Sequence, residues 1–144
     1  MPIPEAPAAY GSVKQQLTDE IRQHGHAVTG SYVGRQALLL TTTGARSGRP
    51  RLSPLAYSLD DARYIVTASR GGSPTHPGWY FNLLADPIVT IEVDLQRFQA
   101  RASIAEGAER ERLWLQHISL HPGIGAYPRM TERIIPIVIL EPLS

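Results

Sequence analysis

The chain has 144 residues, a formal net charge of +1 and no cysteine, enough for one domain with its own core. So balanced a charge gives no global attraction for nucleic acid, and the missing thiols exclude disulfides, thiolate metal sites and cysteine nucleophiles. No basic segment followed by a long apolar run opens the sequence, and no stretch nears the roughly eighteen consecutive apolar residues of a spanning helix, so a cytoplasmic protein is expected.

Residues 1–9 carry Pro2, Pro4 and Pro7 among small side chains, which suits a flexible arm, with 10–144 as a single domain. From Tyr10 to His24, Val13, Leu17 and Ile21 recur every four residues among polar neighbours, the pattern of an amphipathic helix ending near Gly25 and packing on the domain's own sheet. Gln36–Thr43 then reads as a strand and Leu52–Leu59 as its hairpin partner, with Pro54 arguing for an edge or a bulge. Ala62–Ser69 is a third strand. Pro77 to Ala85 is a helix stopped by Asp86-Pro87, Ile88–Leu95 and Gln96–Ile104 form a second hairpin, and Glu106–Ile118 is a helix with Leu113, Trp114, Leu115 and Ile118 as its apolar set. Arg133–Leu140 closes the chain as a buried strand in which Pro136 removes one ladder donor. The fold class is therefore mainly β (α+β): a small barrel of about six antiparallel strands with flanking helices.

Two glycine-punctuated loops interrupt these strands. Ala45, Arg46, Ser47, Gly48, Arg49, Pro50 and Arg51 follow the first strand, and Arg70, Gly71 and Gly72 follow the third. All the basic residues except Lys14 are arginines, and guanidinium forks beside exposed backbone amides suit a phosphate or carboxylate. Beyond the second loop, Gly78, Trp79, Tyr80, Phe81 and Asn82 bring aromatic rings to a helix start. An anion and a flat apolar surface are thus served together, as a phosphorylated aromatic cofactor requires. His24 and His26 are two apart, while His76, His117 and His121 have no carboxylate at a ligand spacing, so no metal is expected. Neither a nucleophile elbow nor a nucleotide-hydrolase phosphate loop occurs, and any chemistry falls to the cofactor.

The strings LLLTTTGARSGRPRLSPLAY (38–57), RYIVTASRGGSPTHPGWYFNLLADPIVTIEV (63–93) and TERIIPIVILEP (131–142), in that order, closely resemble the deazaflavin-dependent nitroreductase family, a branch of the flavin-binding split β-barrel oxidoreductases. The resemblance implies hydride transfer from the reduced 8-hydroxy-5-deazaflavin coenzyme (F-420) to a hydrophobic acceptor, with a quinone expected first and nitroaromatics second. It also assigns residues. Ala45 to Arg51 match the stretch that holds the cofactor's phosphate and tail; Thr67, Ala68, Ser69 and Arg70 match the strand end and loop that line the deazaflavin; Gly78 to Asn82 match the aromatic helix start that walls the pocket. Tyr57, His121, Ile124 and Tyr127 stand on the substrate side, where the best-known member has several tyrosines, so bulky nitroimidazoles are expected to be poor substrates. Tyr127, His121 and water are the candidate proton donors. A reductase using flavin mononucleotide (FMN) on the same fold and a non-catalytic deazaflavin or lipid carrier are the alternatives. Monomer or homodimer, and peripheral attachment to the inner face of the membrane for quinone access, are left open.

Overall fold

The computed structural model describes residues 12–30 and 33–143; the proposed arm, together with Tyr10 and Gly11, lies outside them. Three helices, α1 (Ser12–His24), α2 (Gly78–Ala85) and α3 (Gly107–Leu120), accompany seven strands: β1 (Ala37–Thr43), β2 (Pro50–Ala56), β3 (Ser58–Asp60), β4 (Arg63–Thr67), β5 (Ile88–Val93), β6 (Gln96–Ile104) and β7 (Ile137–Pro142).

Alternation along the strands sorts side chains into two layers. Leu38 and Leu40 of β1, Val66 of β4 and Val138 and Leu140 of β7 point into one cluster with Trp79, Leu83 and Ile91. Their neighbours point outward: Leu39 packs with Ile21 of α1, and Ile65, Ile137 and Ile139 pack with Leu113 of α3. One set fills the barrel and the other is roofed by helices, so β1 and β7 are apolar on both faces. In α3 the buried partner of Leu113 one turn on is His117, whereas Leu115, expected in the apolar set, is 63% exposed.

Every strand pairing is antiparallel, in the order β2-β1-β5-β6-β7-β4-β3. The β5–β6 turn places Asp94 and Leu95 at φ 50° and 64°, the two left-handed residues of a tight hairpin whose twist matches its strands. Strands β2 and β3 lie at opposite edges of the sheet, yet Tyr57 alone separates them in sequence. Two consecutive Cα steps cover at most about 7.6 Å, so the edges must meet there and the sheet must curl into a barrel. The single strand expected over Leu52–Leu59 is therefore two, and six strands become seven. Pro54 does lie on an edge strand. Pro136 lies just before β7 rather than within it, and its carbonyl accepts a hydrogen bond from the Ala68 amide at 3.0 Å.

Closure at Tyr57 stops almost as soon as it begins. β3 covers only Arg63 to Ile65 of β4, leaving Val66 and Thr67 with β7 on one side and no strand on the other. The outer edge of β2 is equally unpaired. The barrel is split between these two edges.

Two buried histidines pin the seam. His121 Nε2 donates to the Tyr57 carbonyl at 2.8 Å, His117 Nδ1 lies 2.8 Å from the Ser58 hydroxyl, and the rings are 4.9 Å apart. Burial, and secondarily the neighbouring His121, push the His117 pKa down to about 4. The unfolded chain takes up this proton near pH 6.5 and the folded chain only near 4, so the stabilisation is complete above about 6.5 and is lost as pH falls through that window. Urea unfolding between pH 7 and 4 should show wild type losing up to about 3 kcal/mol from this group, with a flatter profile in His117→Gln; equal slopes in the two proteins would contradict the assignment.

Candidate functional site

The split opens into a cleft of 910 Å³. One wall is the outer edge of β2 from Arg51 to Ala56, and the opposite wall is Thr67, Ser69 and Arg70 at the end of β4. Trp79 of α2 lies across the base, buried with the barrel core behind it, and Ile124 and Tyr127, from a 3-10 helix over Pro122–Arg129, reach in from the side. Tyr57 pairs with β1 through its amide and the Gln36 carbonyl at 3.0 Å. Because ladder hydrogen bonds alternate along a strand, the backbone groups of Leu52, Pro54 and Ala56 face away from β1. Pro54 thus lacks its N–H where no sheet partner needs it.

The cleft is cationic at its rim. Arg51 and Arg70 are exposed and line it, joined by Arg35 and Lys14, which sequence reading did not single out. Among the described residues neither Arg51 nor Arg70 makes an ion pair. Arg70 has φ 45°, a left-handed conformation that costs a non-glycine residue about 1 kcal/mol or more. Its guanidinium bonds the Thr75 hydroxyl, and Gly72 at φ 81° completes the turn. Gly72 also sits under Met130: a Cβ there would lie 2.8 Å from the Met130 sulfur. The loop therefore packs directly on the segment following the 3-10 helix that carries Ile124 and Tyr127.

What holds the loop is Arg133, which sequence reading passed over. Its Nε donates to the Ser73 carbonyl at 2.8 Å, one terminal nitrogen to the Ala68 carbonyl at 3.0 Å and to His76 Nδ1 at 2.9 Å, and the other to the Ser69 carbonyl at 2.7 Å. A flat fork of fixed donors suits a ring of carbonyls converging from one loop. Burial, and next the Arg70 charge, lower its pKa.

Asn82 has a comparable role at the first loop. Its Oδ1 accepts from the Ala45 amide at 2.9 Å and its Nδ2 donates to the Thr42 hydroxyl at 3.1 Å, so α2 fixes the β1–β2 turn. Within that turn the Gly44 amide donates to the Arg49 carbonyl at 2.8 Å, and the Arg49 amide donates to the Ser47 hydroxyl at 3.1 Å.

The expected site residues thus fall into three groups. Arg51, Thr67, Ser69, Arg70, Gly78, Trp79, Phe81, Asn82, Ile124 and Tyr127 line one cleft. Ala45, Arg46, Ser47, Gly48, Arg49 and Pro50 form the exposed turn beyond the Arg51 end of β2, outside the lining. Ala68 is buried and contributes its backbone to the Arg133 clamp, while Tyr80 packs on the core and on the His76 ring, 4.6 Å away. Two substrate-side expectations are corrected. Tyr57 is 4% exposed and His121 2%, and neither lines the cleft. Tyr57 stacks edge-on with Tyr64 at 5.3 Å, and burial, then the Asp94 charge, push its phenol up to about 12. His121 spends its N–H on the seam. The local reason is the one-residue crossing, which turns Tyr57 inward and requires a donor for its carbonyl.

Residues 13–142 match the model of the family described as F420H(2)-dependent quinone reductase. The F420H(2)-dependent quinone reductase Rv1261c of Mycobacterium tuberculosis is 38% identical over 119 residues, covering 81% of this chain and 78% of its own. The putative F420H(2)-dependent quinone reductase Rv3178 of the same organism is 36% identical over 105 residues, 73% of this chain and 88% of its own. Among solved structures, an F420-H2 dependent reductase (FDR-A) is 39% identical with a TM-score of 0.69, covering 74% of this chain and 95% of that one. A protein described as a domain-swapped dimer is 34% identical with a TM-score of 0.70, covering 88% and 95%.

Removing the clamp tests its weight. Arg133→Met takes the Arg133 donor from the carbonyls of Ala68 and Ser73 and leaves Ser69 with the Gly72 amide alone, and should cost about 2–4 kcal/mol in urea unfolding, with Arg133→Lys restoring only part because an ammonium cannot span the carbonyls. A change below about 0.5 kcal/mol in Arg133→Met would show that the loop holds itself.

Proposed function

The chain belongs to the F420H(2)-dependent quinone reductase family and is an oxidoreductase of that class, drawing hydride from the reduced deazaflavin; from that premise we propose that the split-edge cleft holds this cofactor beside the quinone. The observation that carries the reading is the meeting in one cleft of unpaired strand edges, the rim arginines Arg51 and Arg70, and the Trp79 wall. Residue chemistry fits the group. Arg51 and Arg70, with Arg35 and Lys14 nearby, suit an anionic tail; Arg46 and Arg49 in the adjoining turn extend the same positive rim. The helix start at Gly78 has no side-chain cap, so its first amides remain to face acceptor oxygens. Trp79 and the β2 edge supply a flat apolar wall for a tricyclic ring.

The bound deazaflavin supplies the hydride at its C5, and the protein's contribution is position and electrostatics. Family membership favours the deazaflavin over FMN. On the acceptor side, Ile124 packs against an apolar ring but cannot hydrogen-bond a nitro oxygen, so the cleft favours a quinone over a bulky nitroimidazole. With His121 committed to the seam, the Tyr127 phenol or water is left to deliver the proton that accompanies hydride transfer.

No helix among the described residues is long and apolar enough to cross a membrane; Phe81 and Leu84 are 51% and 54% exposed on α2, with Phe81 in the cleft lining. We place the protein in the cytoplasm, with this apolar lip able to meet quinone held at a membrane surface.

Fluorescence titration with the deazaflavin tests the site. Arg51→Ala should weaken binding about ten-fold or more, since one charged hydrogen bond contributes about 1.5–3 kcal/mol. Unchanged affinity in both Arg51→Ala and Arg70→Ala would overturn the assignment of the anionic tail to this rim.

A further inference from the structure

His76 lines the cleft between the Arg70 loop and the aromatic start of α2. Its Nδ1 lies 2.9 Å from an Arg133 terminal nitrogen. A guanidinium has donors only, so Nδ1 must be the acceptor, and the neutral ring then carries its one hydrogen on Nε2. The same clamp that shapes the loop thus sets the tautomer. Tyr80 and Phe81 hold the ring, with centroids 4.6 and 5.7 Å away, so its orientation is fixed by packing as well as by Arg133. Among the described residues nothing accepts a hydrogen bond from Nε2. A donor in a cleft-lining ring, locked in tautomer by the Arg133 guanidinium, is matched to an acceptor oxygen of a ligand.

We propose that His76 is a ligand-contacting residue whose Nε2–H donates a hydrogen bond to an acceptor oxygen of the deazaflavin. This rests on the reading that the cofactor occupies the cleft. The rival role is purely internal: His76 would serve only as a partner for Arg133. Two substitutions separate them because each keeps one end of the imidazole. His76→Asn retains an acceptor near the Nδ1 position and loses the outer donor; His76→Gln places an amide N–H near the Nε2 position and gives up the inner acceptor.

The experiment is a fluorescence titration of wild type, His76→Asn and His76→Gln with the deazaflavin in the absence of quinone, with unfolding midpoints measured on the same samples. The proposal expects the Asn variant to bind about ten-fold more weakly, with the Gln variant within about three-fold of wild type. Asn binding as tightly as wild type, or Gln losing as much as Asn, overturns it and leaves His76 an internal partner of Arg133. A wild type that does not bind the deazaflavin overturns both this assignment and the reading beneath it, whereas wild-type binding unaltered in the Asn variant removes the His76 contact alone.

Discussion

One residue sets the shape of this molecule. Strands β2 and β3 stand at opposite edges of a seven-stranded sheet, and only Tyr57 joins them, so the sheet has to curl until its edges touch. The joint is made inside the protein. That buries backbone groups which must be satisfied, and the chain answers with Gln36 accepting from the Tyr57 amide and His121 donating to its carbonyl. His117 steadies the adjoining Ser58. The two histidines are thus explained by closure rather than by chemistry at the cleft.

The same constraint creates the opening. Because β3 has three residues, the seam is sealed at one end only, and the rest of the β2 edge faces the end of β4 across a gap. Such edges invite pairing with another chain; here Pro54 blunts one edge, and the other runs into the Arg70 turn. That turn is strained at Arg70 and crowded at Gly72, and four hydrogen bonds from Arg133 hold it. Charge from Arg51 and Arg70 faces outward while Arg133 is spent internally. Position and recognition are divided among arginines that look alike in sequence.

Local patterns made much of this legible beforehand. The alternation in Ile88–Leu95, the glycine turn after Thr43, the stop at Asp86-Pro87 and the four-residue spacing of Leu17 and Ile21 each correspond to an observed element, although Asp94 and Leu95 belong to the turn after β5 rather than to the strand. What escaped was non-local. The break at Tyr57 depends on a sheet order that no window of residues encodes, and the short helix over Pro122–Arg129 has too little periodicity to read. Arg133 serves carbonyls some sixty positions away, so its neighbours in sequence say nothing of its role. His117 on α3 and His121 just past its end are four apart in sequence, but only the fold shows that both face the seam. Most of the candidate site came from resemblance to a family, and the structure then separated cleft-lining residues such as Ser69 and Trp79 from Tyr57 and His121, which the fold turns inward.

We propose that the unpaired edge of β2 is the wall against which the cofactor sits. Amide hydrogen exchange, followed residue by residue with and without the deazaflavin, addresses it directly. Leu52 and Ala56, whose amides face away from β1, should exchange freely in the unliganded protein and slow by about ten-fold or more when the cofactor is added, while amides of the β5–β6 hairpin keep their rates. Slowing confined to regions away from β2 and the Arg70 loop, with Leu52 and Ala56 unchanged at saturating deazaflavin, would contradict it.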